Sequence, residues 1–108
     1  MFQPLAGLKV IDLTQVLAGP YAAYQLALMG ADVVKIETPG IGDWTRSSGT
    51  LPDLNAARMG LAFTTQNANK KSVALNIKTP EGLAVMKRLL ADAELEKDAL
   101  REIAKGKF

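Results

Sequence analysis

The residue types that this sequence lacks restrict its chemistry as much as those it contains. It has no histidine and no cysteine. A thiol nucleophile, a disulfide and a cysteine metal site are therefore excluded, and the commonest general base and metal ligand of enzymes is missing. Acid–base or nucleophilic chemistry must use carboxylates, lysines, tyrosines or hydroxyls. The sequence predicts no metal site.

The stretch from Thr14 to Pro20 is the best candidate for a ligand-binding turn. It follows a short apolar run and passes through Ala18 and Gly19 to a proline suited to the first turn of a helix. Backbone amides at such a helix start, beside small residues, suit a phosphate or an adenine-bearing cofactor. A crossover turn packed for geometry alone fits equally well. No Gly-x-Gly-x-x-Gly pattern is present, which disfavours nicotinamide or flavin binding and favours a structural role for Glu37 over ribose binding.

Polar residues in two connecting segments are further candidates. Asp43 and Arg46 can pair across one turn or bind a ligand, and Trp44 can cap a pocket or pack against an interface. The segment Asn67–Lys71 predicts a turn with solvated lysines. Lys78 is a better ligand candidate, because it follows a predicted strand at the carboxyl end, where open α/β sheets bind their ligands.

Apolar runs rich in β-branched residues alternate with helical patterns along the chain. We predict strands at residues 8–13, 33–37 and 72–77, and helices from Pro20 to about Met29 and from Pro80 to about Ala93. Thr79 is the predicted N-cap of the second helix. Residues 38–66 show no sustained periodicity and predict a long loop. The fold class is therefore α/β, a partial doubly wound (Rossmann-like) parallel sheet with flanking helices over residues 1–93, followed by a charged helix or tail at 94–108.

The composition is typical of a globular protein in a reducing compartment. Apolar residues make up 48% of the chain, and the net charge of +2 is too small to indicate nucleic acid binding. The N-terminus lacks the pattern of a secretory signal, and the most apolar window, residues 16–29, is too short and interrupted to span a membrane. We expect a soluble cytoplasmic protein with neither nucleic acid nor membrane as a partner.

Together these segments resemble the N-terminal portion of family III CoA-transferases, the CaiB/BaiF group, which includes formyl-CoA and carnitine-type CoA-transferases. The resemblance covers about residues 4–93, and the combination of ordered motifs is specific although each motif alone is weak. The motifs are Pro4-Leu5-Ala6-Gly7-Leu8-Lys9-Val10, Leu13-Thr14, Ala18-Gly19-Pro20, Gly30-Ala31-Asp32-Val33-Val34-Lys35-Ile36-Glu37, Gly42-Asp43-x-x-Arg46, Asn67-x-Asn69-Lys70-x-Ser72, Leu75 and Lys78-Thr79-Pro80-Glu81-Gly82.

The resemblance implies an enzyme that moves CoA between an acyl-CoA and a carboxylic acid. In such enzymes an aspartate attacks the thioester, and mixed-anhydride and aspartyl-CoA intermediates follow. That aspartate is expected outside this sequence, so no catalytic residue is assigned here, and the chain alone is expected to be inactive. The implied CoA-binding residues are Val16, Leu17 and Ala18 beside the thioester arm, Thr38 near the phosphates, and Leu75, Ile77 and Lys78 around the adenosine end. The family typically forms interlocked homodimers, so we expect a homodimer or association with the remainder of the enzyme.

The sequence departs from the family pattern at three places. Thr38 stands where some members have an arginine that contacts phosphate, and Leu17 stands where some have a polar side chain that orients the active carboxylate. After Ala93 members continue into another strand and an Asn-Phe-x-Pro-Gly-like loop, whereas this sequence continues as Glu-Leu-Glu-Lys-Asp. We therefore expect a truncated enzyme, an excised domain or a sequence with an internal deletion.

Two alternative functions stay open at this point. The α-methylacyl-CoA racemases share this opening and its CoA site, and the Gly-Asp-Trp-Thr-Arg and Lys-Thr-Pro-Glu-Gly segments favour the transferase only modestly. The other alternative is a non-catalytic α/β interaction module that kept the fold and lost the chemistry.

Overall fold

The computed structural model describes residues 2–93 of the chain. In chain order the elements are β1 (Lys9–Asp12), α1 (Ala18–Leu28), β2 (Asp32–Glu37), a 3-10 helix (Trp44–Ser47), α2 (Pro52–Ala56), α3 (Leu61–Asn67), β3 (Lys71–Ala74) and α4 (Pro80–Ala91). Every strand and helix predicted within this range is present. The charged helix or tail predicted at 94–108 lies outside the described residues. Among the helices of residues 2–93, none is long and apolar enough to cross a membrane.

The three strands form one parallel sheet in the order β1-β2-β3. Val10 of β1 pairs with Val33 of β2, and Ile36 of β2 pairs with Val73 of β3. Parallel neighbours need a crossover connection. Helix α1 provides the first crossover, and the segment that carries the 3-10 helix, α2 and α3 provides the second. The predicted α/β class with a parallel sheet is confirmed.

Helices cover both faces of the sheet. Helix α1 lies against one face through alanines, whose small side chains allow close approach to the strands. Helix α4 lies against the other face through Met86 and Leu90, which are almost fully buried. This is the arrangement of a doubly wound fold. The buried residues are Val10, Ala23, Ala27, Ala31 and Val33 on the α1 face, and Ile36, Met86 and Leu90 on the α4 face.

Several predicted boundaries shift by one to three residues, among them the start of α1 and the end of β3. Helix α1 begins at Ala18, so Pro20 lies within its first turn, where a missing N–H leaves no helical bond unmade. Strand β3 ends at Ala74, and Leu75 donates its N–H to the Glu37 carbonyl before the chain turns toward α4. Helix α4 begins as predicted, with Thr79 Oγ1 accepting from the Gly82 N–H at 3.0 Å.

The prediction of a long loop at 38–66 is wrong, because most of the second half of this segment is helical. The 3-10 helix, α2 and α3 are four, five and seven residues long, which is too short to show a repeated helical period in the sequence. Gly60 joins two of these pieces, since its N–H donates to the Arg46 carbonyl at 2.8 Å. Helix α3 packs against α1 and the 3-10 helix, so this segment forms part of the α1 layer.

Candidate functional site

A cleft lies at the carboxyl ends of the strands, where open α/β sheets bind ligands. It has a volume of about 260 Å³ and is lined by Leu13, Gln15, Ile36, Glu37, Thr38, Leu75, Ile77 and Lys78. A second concavity of about 340 Å³ shares Thr38, Leu75, Ile77 and Lys78 and adds Pro39 and Asn76. The two concavities therefore adjoin each other; Leu75 and Ile77 give both of them apolar lining, and Lys78, which is exposed, contributes a positive charge to both.

The structure brings four of the seven predicted CoA-binding residues together in this cleft. Thr38, Leu75, Ile77 and Lys78 all line it. The other three predicted residues, Val16, Leu17 and Ala18, lie on the turn after β1 and do not line the cleft themselves. Val16 and Leu17 are 37% and 60% exposed.

Several lining residues were not predicted from the sequence. Gln15 and Leu13 follow β1, and Asn76 follows β3, so their positions directly after predicted strands were the available signal. Ile36 was recognised only as part of a buried strand. Its side chain is buried and contributes to the floor of the cleft.

The turn that carries Gln15 is held by buried charged side chains. Thr14 donates its N–H to Asp12 Oδ1 at 2.8 Å, and its hydroxyl donates to the same oxygen. Lys35 Nζ donates to the Thr14 carbonyl at 2.8 Å. Asp43 Oδ2 accepts from the Val16 N–H at 3.3 Å. Val16 has a φ of 77°, a left-handed conformation that β-branched residues rarely adopt.

Lys35 and Asp43 form a buried ion pair beneath this turn. Their Nζ and Oδ2 atoms are 3.1 Å apart, and their side chains are 1% and 0% exposed. Asp43 Oδ1 accepts from the Thr45 N–H at 3.0 Å and from its hydroxyl at 2.7 Å. Burial alone raises the pKa of Asp43, but the hydrogen bonds from Thr45 and the charge of Lys35 outweigh it, so the pKa lies below its usual value.

Glu37, although it lines the cleft, is held by a second ion pair, and both of its carboxylate oxygens already accept hydrogen bonds within the chain. Arg46 donates to both carboxylate oxygens at 2.7 Å, the Asp43 N–H donates at 2.9 Å, and the Ser72 hydroxyl donates as well. Burial raises the pKa of Glu37, but these donors, Arg46 foremost, outweigh burial and bring the pKa down to about 2. The structural role predicted for Glu37 is confirmed. The pairing of Asp43 with Arg46 considered from the sequence is wrong, because each of the two has a different partner.

Lys70 is buried, contrary to the expectation from the sequence. The sequence predicted solvated lysines here, but the Lys70 side chain is only 2% exposed. Its Nζ donates to Asp12 Oδ2 at 2.8 Å, to the Pro20 carbonyl at 2.9 Å and to Asn67 Oδ1 at 2.8 Å. Burial lowers the pKa of Lys70, and Asp12 opposes that shift. Lys71, with a side chain 72% exposed, is solvated as expected.

Trp44, considered from the sequence as a pocket cap, is 54% exposed and is not among the residues that line the cleft. Within residues 2–93, no three histidine, cysteine, aspartate or glutamate side chains are placed to hold a metal ion. The arrangement is thus suited to binding an anionic ligand with an apolar body, since Lys78 supplies a positive charge and Leu75 and Ile77 supply apolar walls.

The sequence model of CoA-transferase family III matches residues 5–105. Formyl-CoA:oxalate CoA-transferases of Escherichia coli O139:H28 and Shigella boydii serotype 18 are 48% identical to the chain over 96 residues. The match covers 88% of this chain and 22% of each relative, so the chain spans about a fifth of the length of these curated relatives.

Solved structures agree with the sequence comparison. A CAIB/BAIF family protein from Brucella suis superposes with a TM-score of 0.74 and 35% identity, over 87% of this chain and 25% of that one. A hypothetical protein from Mycobacterium tuberculosis superposes with a TM-score of 0.71 and 35% identity, over 85% of this chain and 24% of that one. From its sequence and its fold alike, this chain belongs to CoA-transferase family III.

Proposed function

We propose that the chain is the CoA-binding N-terminal part of an enzyme that moves CoA between an acyl-CoA and a carboxylic acid. The observation that carries the proposal is the cleft at the carboxyl ends of β2 and β3. Four residues that the family resemblance implicates in CoA binding, Thr38, Leu75, Ile77 and Lys78, lie together there. The transferase names of the 48% identical relatives favour this function over that of a racemase.

Each part of the proposed site suits one part of CoA. The Lys78 ammonium lies directly before α4, whose N-terminal dipole also favours negative charge, so the two together suit the phosphates. Leu75 and Ile77 provide apolar contacts for the adenine ring. The Thr38 hydroxyl is a further donor for a phosphate oxygen. The turn at 16–18 lies beside the thioester arm in this proposal.

The covalent chemistry is proposed to belong to an aspartate on polypeptide beyond this sequence. Its carboxylate attacks the acyl-CoA carbonyl and the C–S bond breaks. The CoA thiolate departs, and the acyl group stays on the aspartate as a mixed anhydride. The thiolate then attacks the aspartyl carbonyl, which releases the first carboxylic acid and leaves an aspartyl-CoA thioester. The second acid takes the CoA by the same two steps in reverse. Asp12, Glu37 and Asp43 are poor candidates for the nucleophile, because each is buried against a cation.

Binding of CoA to the chain tests this proposal. Isothermal titration calorimetry with CoA and with adenosine 3′,5′-bisphosphate should give heat from both, since the adenosine end makes most of the proposed contacts. Lys78→Ala should weaken binding about tenfold, the value of a hydrogen bond to a charged group. Lys87→Ala, on the exposed side of α4, is the matched control and should leave affinity unchanged.

Two results would contradict the proposal in different ways. Absence of heat with either ligand would show that the cleft is not a CoA site. Transfer of CoA from an acyl-CoA to a carboxylate by the purified chain would show that the nucleophile lies within this sequence.

We also propose that the protein is cytoplasmic and acts as a homodimer or in association with the remainder of the enzyme. Support for the association comes from an apolar stripe, called the α1 stripe below, formed by Leu17 at the N-cap of α1 and by Tyr21 and Leu28 within the helix. These residues are 60%, 51% and 47% exposed and fall on one side of the helix. An exposed apolar stripe favours contact with another protein surface.

A further inference from the structure

Gln15 lines the cleft, and the peptide groups on both sides of it are held by one buried ion pair. The carbonyl of Thr14, in the peptide group before Gln15, accepts from Lys35 Nζ at 2.8 Å. The N–H of Val16, in the peptide group after it, donates to Asp43 Oδ2 at 3.3 Å. Lys35 Nζ and Asp43 Oδ2 are themselves 3.1 Å apart.

We propose that the Lys35–Asp43 ion pair is a positioning device, which holds Val16 in its left-handed conformation and thereby directs Gln15 into the cleft. This inference rests on the proposed function, since it assigns the pair to the CoA site. Lys35 and Asp43 do not line that cleft and so act through the turn.

The energetics of the turn support a positioning role. A β-branched residue at a φ of 77° is strained, and such a conformation persists only when its surroundings impose it. Val16 is 37% exposed, so burial of its side chain does not explain the conformation. The acceptor that meets its N–H is itself fixed, because Thr45 holds the other oxygen of Asp43 at 2.7 Å.

The ion pair also connects the turn that carries Gln15 to later parts of the sequence, through hydrogen bonds that span 21 and 27 sequence positions. Asp43 precedes the 3-10 helix, and its N–H donates to Glu37 at 2.9 Å. Lys35 comes from the middle of β2, in the centre of the sheet. The turn is therefore positioned from the sheet and from the segment after β2, not by its own residues alone.

Substitution of Asp43 combined with relief of the strain at Val16 tests the proposal. In the full chain, Asp43→Asn should weaken CoA binding about tenfold, because the charged acceptor is lost. Adding Val16→Gly should restore most of that loss, because glycine adopts positive φ without steric cost. A variant that binds poorly through general destabilisation would not recover, since glycine in a loop increases the entropy of the unfolded chain.

Two further variants keep the test decisive. Asp32→Asn is the matched control, because Asp32 is paired with Lys71 at 3.1 Å but lies partly exposed at the start of β2; its CoA affinity should equal that of the wild type. Val16→Pro leaves the buried pair intact but removes both the N–H and the positive φ. Val16→Pro should therefore weaken CoA binding as Asp43→Asn does, and it can be measured even if the Asp43→Asn protein folds poorly. Unchanged CoA affinity in Val16→Pro would overturn the proposal.

A measurement without ligand separates this inference from the proposed function. The HN–Hα coupling and the Cα chemical shift of Val16 report its φ by NMR. They should indicate a left-handed residue in the wild type and a shift away from it in Asp43→Asn. If the wild type binds no CoA, the proposed function fails. If the φ of Val16 is the same in Asp43→Asn as in the wild type, the ion pair does not set the conformation of the turn.

Discussion

Three carboxylates on the α1 face of the sheet, Asp12, Glu37 and Asp43, have side chains no more than 5% exposed, and each lies within 3.1 Å of a lysine or arginine nitrogen. Charges buried to this degree are tolerated only when they are paired and hydrogen-bonded. Removing one member of such a pair is costly, because the partner is left charged without compensation. These residues therefore tie the turn after β1 and the segment after β2 to the sheet.

Glu37→Gln is predicted to lower the free energy of unfolding by about 3 kcal/mol. Glutamine keeps the size of the side chain, but it removes the charge that faces Arg46 and offers one acceptor oxygen in place of two. Urea denaturation followed by circular dichroism measures the change. Glu81→Gln, on an exposed residue in the first turn of α4, is the control and should cost less than about 1 kcal/mol. Equal losses in the two variants would refute the special role of Glu37.

Acid is predicted to destabilise the chain over a defined pH range. The folded-state pKa of Glu37, about 2, lies below the ordinary value of 4.5. Its contribution to stability is thus complete above about pH 4.5 and is lost as the pH falls toward about 2, with a total of about 3 kcal/mol. Asp43 shifts in the same direction. Urea titrations across this range should show the loss, and Glu37→Gln should flatten it; parallel curves for the two proteins would contradict the assignment.

Sequence patterns identified these residues but not their partners. Asp43 and Arg46 are close in sequence, yet Asp43 pairs with Lys35 of β2 and Arg46 pairs with Glu37. Lys70 was expected in solvent because adjacent lysines usually are, and its acceptors Asp12, Asn67 and the Pro20 carbonyl come together only in the folded chain. Which buried charges pair is a tertiary property, so local spacing could not predict it.

Among the elements, those with a strong local signal were predicted and those without one were not. The three strands follow from β-branched apolar runs, and α4 follows from Thr79 and Pro80 at its start. The 3-10 helix, α2 and α3 were missed because they are held by tertiary contacts. One such contact joins Gly60 N–H to the Arg46 carbonyl at 2.8 Å. The position of the strand ends also explains the cleft. Its lining residues Thr38, Leu75, Ile77 and Lys78 meet there because they lie just beyond the ends of the neighbouring strands β2 and β3.

Gly82→Ala is predicted to displace the start of α4 from the cleft. A Cβ at this position would lie 1.8 Å from the Asn76 carbonyl oxygen, a backbone atom that cannot rotate away. The unfolding free energy should fall by about 2 kcal/mol, as in other overpacked sites, and CoA affinity should fall with it because Lys78 moves. Differential scanning fluorimetry and calorimetry measure the two effects.

The control for this variant is a substitution on the same helix without a clash. Lys87→Ala changes an exposed residue of α4 and should leave both the melting temperature and the affinity close to those of the wild type. A stable Gly82→Ala protein with unchanged CoA affinity would contradict the predicted displacement of α4 from the cleft.

At the level of the whole molecule, the described part of the chain leaves apolar surface uncovered. Within residues 2–93 the sheet has three strands, and β1 and β3 form its edges. Edge strands and exposed apolar side chains both favour association with other polypeptide. The α1 stripe defined above lies on the outer side of a helix whose alanines face the sheet, so covering it requires no change in the core.

The isolated chain is therefore predicted to self-associate through the α1 stripe. Sedimentation velocity should show an average mass that rises with concentration. Tyr21→Ser combined with Leu28→Ser should shift the chain toward the monomer, because two large exposed apolar side chains are lost without a change in the buried alanines. Lys9→Ser combined with Lys87→Ser, at exposed polar positions, is the control and should leave association unchanged. A wild-type chain that stays monomeric at every concentration would indicate that the stripe is no contact surface for a second copy. The homodimer proposal would then have to rest on the remainder of the enzyme.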